Sequence, residues 1–157
     1  MCGPIRKLSF AAAGMLAAVF LLVGPSAATA APPSPVAIDL FPSQFCCPEI
    51  GTWQASGAIN DSGTYVRTGH HETGSIPDCF CNFEHNGVFT EEFLLTGSQG
   101  TLTLKAEQQV LPTRGFEGPW QVESGTGAYA GASGHGTDQF FVPTLTLSMT
   151  GVISKAD

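Results

Sequence analysis

From Gly51 to the C-terminus the chain is written in short runs that alternate apolar and polar residues, separated by glycine-rich breaks. Strict alternation marks a strand with one face buried, because successive strand side chains point to opposite sides of a sheet. TLTLKAEQQV shows it most clearly: Leu102, Leu104 and Ala106 fall on one face, Thr101, Thr103, Lys105 and Glu107 on the other. KAEQQVL alone would suit a helix, but the alternation ahead of it favours a strand. GTWQASGAI carries Trp53, Ala55, Gly57 and Ile59 on a common face, Asn60 to Gly63 reads as a turn, and TYVRTGHHET is its partner strand. GVFTEEFLLTG, GFEGPWQVESG, GHGTDQFFV and LTLSMTGVI complete the set, the last with Leu145, Leu147, Met149, Gly151 and Ile153 on one side. Strands at such regular spacing indicate a sandwich or a barrel. Glycines inside the strands (Gly57, Gly69, Gly134, Gly136, Gly151) suit barrel corners, and closure removes exposed sheet edges. The expectation is an all-β chain, a single closed antiparallel barrel of about eight strands over residues 51–157.

Upstream the texture differs. Arg6-Lys7 precedes an apolar run from Leu8 to Val23, Gly24-Pro25 breaks it, and Ala28-Thr29-Ala30 offers a peptidase exit. These are the marks of a secretory signal peptide over residues 1–30, and the apolar run is short for a bilayer span. The protein is therefore expected to be secreted, with no membrane attachment after leader cleavage. Six Lys and Arg face thirteen Asp and Glu, and the leader removes two of the cations and no acid. So acidic a body repels phosphate backbones and anionic lipid heads, which excludes nucleic-acid and peripheral membrane roles.

Residues 31–50 begin with APPSPVA and read as an extended, irregular N-terminal arm, whose Ile38, Leu40, Phe41 and Phe45 pack across the barrel. Export gives Cys46, Cys47, Cys79 and Cys81 an oxidising compartment. Neither close pair joins to itself without straining the disulfide dihedral, so two bridges between the pairs are favoured, tying the arm to the SIPDCFCN loop. The rival is a zinc or copper site, since His70, His71 and His85 lie nearby. The C-C and C-x-C spacings differ from the usual knuckle, however, so no metal and no resident cofactor is expected.

The stretch Gly125-Thr-Gly127-Ala-Tyr129-Ala-Gly131-Ala-Ser-Gly134 resembles the G-x-G-x-[FY]-x-G-x-x-G hallmark of the allene oxide cyclase and dirigent barrels. It more closely resembles small bacterial relatives of that barrel, whose members have no assigned activity. The Phe93–Leu104 hairpin and the LTLSMTGVI strand fit the same relatives, so the resemblance covers roughly residues 88–153; residues 31–87 align with no part of it. It implies an eight-stranded, calycin-like barrel with a lumen for a small apolar ligand. The plant members cyclise an unsaturated epoxide or steer phenoxy-radical coupling in such a lumen. Their catalytic groups map onto no position here, so the resemblance carries the fold alone.

Among polar residues, His70-His71-Glu72 is the sharpest cluster. Neighbours in a strand point opposite ways, so His70 and Glu72 share a face and, inside a lumen, could serve as general base and orienting group. The plainer account is a solvated strand face. Glu91-Glu92 sends one carboxylate each way, and Glu92 joins His70 and Glu72 as a catalytic candidate for the lumen. Tyr129 in the glycine motif and His135 between two glycines are candidate ligand contacts; the plainer account of His135 is an exposed side chain. The functional expectation is a secreted binding or structural module for a small apolar ligand. The alternatives are a cyclase-like or coupling-guiding enzyme acting in the lumen, and a metal-binding protein using the Cys/His region.

Overall fold

The computed structural model describes residues 32–45, 48–73, 87–111 and 115–155. Within them the strands run β1 (Ser34–Gln44), β2 (Ile50–Gly57), β3 (Asp61–Thr73), β4 (Val88–Gly97), β5 (Thr101–Leu111), β6 (Gly115–Gly125), β7 (Ser133–Phe141) and β8 (Thr146–Ser154). All neighbours are antiparallel, and β1 pairs with β8 from Ser34↔Ile153 to Leu40↔Leu147, which closes the barrel. Apart from one short 3₁₀ turn, Gly127–Tyr129, the described residues hold no helix. KAEQQVL is strand, with Ala106, Gln108 and Val110 turned inward and buried.

One expectation is corrected. The segment read as an irregular arm is the first strand of the barrel, so the barrel begins at Ser34 and not at Gly51. Val36, Ile38 and Leu40 alternate into the core with Ala37 and Asp39 between them. The prolines that obscured this occupy places a strand tolerates. Pro35 stands at its start, and Pro42 adjoins a register shift against β2. The proposed leader at 1–30 and Cys46, Cys47, Cys79 and Cys81 lie outside the described residues.

The two ends of the barrel differ. One end gathers the β2–β3, β4–β5 and β6–β7 connections. There the chain from Thr126 to Ala132 folds back so that Tyr129 is fully buried, a turn that needs the left-handed backbone of Gly127 (φ 61°). The Tyr129 hydroxyl donates to Asp61 Oδ2 at 2.8 Å. Asp61 opens β3, one residue past the actual turn, and its carboxylate also accepts from Ser62 N–H (2.9 Å), Ser98 Oγ (2.8 Å) and Gln99 N–H (3.1 Å). Burial acts to raise the Asp61 pKa, but the bonds from Ser98, Tyr129 and the two backbone N–H groups outweigh it and hold the carboxyl well below the usual aspartate range. A single side chain thus ties three connections together, above a core of Trp53, Trp120, Leu95, Leu102 and Ile153.

This predicts a graded response at Tyr129. Tyr129→Phe keeps the buried ring and loses the bond to Asp61, costing about 1–2 kcal/mol, whereas Tyr129→Ala also opens a cavity and costs about 3–5 kcal/mol. Urea unfolding of the three proteins measures both, and an Ala variant within 1 kcal/mol of the parent (about the smallest shift such curves resolve) would contradict the plug.

Candidate functional site

The opposite end is where β1, β3, β5 and β7 finish. Its central feature comes from an irregularity in β3. Tyr65 and Arg67 point inward opposite Leu95 and Phe93; then the register with β4 slips by one residue between Arg67 and Gly69. A bulge of this kind leaves one residue unpaired and reverses the inward parity beyond it. His70 therefore faces in opposite Glu91, and Glu72 opposite Phe89, on the same side as Tyr65 and Arg67. Without the slip, Gly69 and His71 would have taken those places.

The bulge assembles a buried polar network. Arg67 Nη1 donates to Glu91 Oε1 at 2.5 Å and lies 3.4 Å from Glu49 Oε2. His70 Nδ1 is 3.2 Å from the same Glu91 oxygen, and its Nε2 is 2.6 Å from Glu72 Oε1. The Tyr65 hydroxyl donates to Glu49 Oε1 at 2.8 Å, while Glu49's own carbonyl accepts the backbone N–H of Arg67 at 2.9 Å. The Arg67 and Glu91 side chains retain only 3% and 2% of their exposure. Burial, reinforced by the charge of Glu91, pushes the Glu49 carboxyl up to about 7, against the hydrogen bond from Tyr65 and the charge of Arg67. The hydrogen bond to Glu91 raises the His70 pKa, burial opposes it, and Glu72 adds to the rise.

Beside this network lies a cavity of about 90 Å³. Glu49 and Glu91 supply its polar side; Phe45, Phe116, Phe140, Leu145 and Leu147 supply the rest. Phe116 and Phe140 stack with centroids 4.6 Å apart, and Phe45 meets Phe140 edge-on at 6.2 Å. Leu145 holds a left-handed backbone (φ 51°), uncommon for a bulky side chain, at the lip of the hollow. Among the described residues Trp53, Trp120, Phe93, Leu95, Leu102, Leu104 and Met149 are buried in the barrel interior, and the recess lies at the end of that core.

The candidates read from the sequence separate accordingly. His70 and Glu72 join the network, whereas Glu92 faces out, paired across β5 with Lys105; the inward carboxylate is Glu91. His71 and Glu92 border an open groove on the outer wall, and His135 is exposed beside another. Tyr129 belongs to the far end. Among the described residues no three His, Cys, Asp or Glu side chains converge to hold a metal ion. Glu49, Tyr65, Arg67 and Glu91 were not singled out, although Phe89, Phe93 and Leu95 alternate with Glu91 on one face and signal its direction.

Deeper in the barrel, Gln108 on β5 and Asp138 on β7 meet across Gly118 of β6, which puts no side chain between them. Gln108 Nε2 donates to Asp138 Oδ2 at 2.9 Å, and the Gly118 backbone N–H also acts on the Asp138 carboxylate, while Gln108 Oε1 and Asp138 Oδ1 meet no further hydrogen-bond partner among the described residues. Burial pushes the Asp138 carboxyl up to about 8 despite the Gln108 bond.

Comparison with protein-family models, with curated proteins and with solved structures found no match. The site is therefore read from its own chemistry.

Asp138 predicts a pH dependence of stability. With a folded pKa of about 8 against 3.8 for the free group, the folded state keeps a proton that the unfolded chain has released between those values. Its contribution is complete below the lower value and is lost as the pH rises to the upper one. Glu49 and His70, both raised, act in the same direction. Asp138→Asn removes the buried titration, so its stability relative to the parent should rise from pH 5 to pH 8.5 by roughly 4 kcal/mol, at about 1.4 kcal/mol for each pH unit below the folded pKa. Urea unfolding at the two pH values checks this, and an unchanged pH slope in the variant would refute it.

Proposed function

We propose that the protein is a binding module for a small, largely apolar molecule held in the recess at the open end of the barrel. The observation that carries this reading is the make-up of the recess: an aromatic and aliphatic wall closing on two carboxylates at the end of the hydrophobic core. A few convergent polar groups with displaced pKa values on an apolar hollow is how small-molecule sites are built. Where a cavity of about 150 Å³ holds benzene, this one accepts a body of about four carbons carrying one polar group.

Kinship with the allene oxide cyclase and dirigent barrels is part of the proposal. The closed eight-stranded barrel, and the role of the Gly125–Gly134 motif in seating Tyr129, support it. Export and two bridges from Cys46 and Cys47 to Cys79 and Cys81 belong to it as well. Phe45 and Pro48, which flank the first pair, lie at the same end of the barrel as Thr73 and Gly87, the nearest described residues around the second.

A second reading, acid–base catalysis in the recess, is favoured by one observation. Glu49 borders the cavity with a carboxyl poised at about 7, where a group can both accept and return a proton at neutral pH. His70 and Glu72 stand behind it through Glu91.

1-Butanol titrated into ¹⁵N-labelled protein should shift the amides of Phe116, Phe140 and Leu147 saturably and leave those around Tyr129 unmoved. Leu147→Trp fills the recess and should weaken binding by about tenfold or more. Shifts scattered over the whole barrel, or indifference to Leu147→Trp, would count against the site. Butanone in D₂O separates the two readings. Accelerated exchange of its α-hydrogens that disappears in Glu49→Gln means catalysis, and exchange at the buffer rate means binding alone.

A further inference from the structure

Resting on the binding role above, we propose that the polar group of the ligand is a primary ammonium: the recess selects a short-chain amine, with the Glu49 and Glu91 carboxylates as its counter-charges.

The arrangement of charge in the wall argues for a cation. Of the network, only the two carboxylates border the cavity; Arg67 and His70 do not. Both cations reach Glu91 through its Oε1, at 2.5 and 3.2 Å, which leaves Oε2 as an acceptor on a residue of the cavity wall. Glu49 uses Oε1 for the Tyr65 hydroxyl, and its Oε2 is 3.4 Å from Arg67, longer than a good charge-assisted bond. An ammonium offers three donors to these oxygens, an alcohol only one. A carboxylate ligand would face two carboxylates, with no cation among the described residues of the wall. The remaining surface suits the same choice. Phe45, Phe116 and Phe140 line a hollow whose other side is anionic, and aromatic rings attract ammonium groups. The chain as a whole carries a formal charge of −7, which draws cations toward it.

The charge state of Glu49 then sets the affinity. Among the described residues the titratable groups that face it are Tyr65, Arg67 and His70 from β3 and Glu91 from β4; the β7 and β8 side of the recess contributes the apolar Phe140, Leu145 and Leu147. Burial leaves its ionised form short of positive charge near neutral pH, and a bound ammonium supplies that charge. An alkylammonium, like lysine with a pKa of about 10.4, keeps its proton throughout this range. Raising the pH through 7 therefore strengthens amine binding as Glu49 ionises, and loss of the His70 proton adds in the same direction.

Three probes with one body test this: butylamine, 1-butanol and butyrate, each titrated into the ¹⁵N-labelled protein at pH 6 and pH 8. At pH 8 butylamine should bind about tenfold more tightly than 1-butanol, with butyrate weakest. Between pH 6 and pH 8 its affinity should rise roughly three- to tenfold as one carboxyl ionises, while that of 1-butanol stays level. Glu49→Gln should lose most of the preference for butylamine over 1-butanol and flatten the pH profile of butylamine binding. The order of the three probes in the unmodified protein decides the matter even where the variant folds poorly. Butanol or butyrate binding as tightly as butylamine overturns the ammonium assignment and leaves the recess as a site. Failure of all three to perturb Phe116, Phe140 and Leu147 overturns the recess and the assignment together.

Discussion

A guanidinium and a carboxylate, Arg67 and Glu91, lie side by side in a barrel interior built mostly of aliphatic and aromatic groups. Taking two such charges out of water is costly, and their attraction offsets the cost only where geometry is good and other polar groups complete the shell. Here Glu49 brings a second carboxylate to Arg67, His70 shares the Glu91 Oε1 with Arg67, and Tyr65 and Glu72 hold Glu49 and His70 in turn. Removing either member of the pair would strand its partner. The arrangement depends on one backbone event, the slip in β3 register after Arg67, because strict alternation cannot turn both Arg67 and His70 inward.

The same barrel divides its labour by end. At one end Asp61 gathers three connections and Tyr129 is fully buried beneath them. At the other the interior changes character, from Trp and Leu to a charged network beside a recess walled by phenylalanines. Displaced carboxyl pKa values at Glu49 and Asp138 are the electrostatic trace of that change. Tyr129 plugs the first half, and the second carries the recess proposed to hold a small molecule.

Much of this was legible in the alternation of residues, and the parts that were not have identifiable causes. Every strand from β2 onward announces itself by period-two burial, and β5 does so despite the helix-forming residues in KAEQQVL. β1 hides because Pro35 and Pro42 suggest loop, although Val36, Ile38 and Leu40 keep the strand period between them. His70 and Glu72 were placed together correctly, but their association with Tyr65 and Arg67 rests on a bulge for which Gly69 is the sole local cue. The choice between Glu91 and Glu92 was decidable from Phe89, Phe93 and Leu95. Gln108 and Asp138 lie thirty residues apart on strands separated by β6, and they meet because Gly118 on β6 puts no side chain between them.

The most direct measurement is a ¹³C titration of the glutamate side-chain carboxyl groups, followed residue by residue. If the buried network is as described, Glu49 titrates near pH 7, far above an exposed glutamate, and its midpoint falls when Tyr65 and Arg67 are left to act without the charge of Glu91, as in Glu91→Gln. A Glu49 carboxyl that titrates with the ordinary surface glutamates, indifferent to Glu91, would mean that the inward cluster does not form.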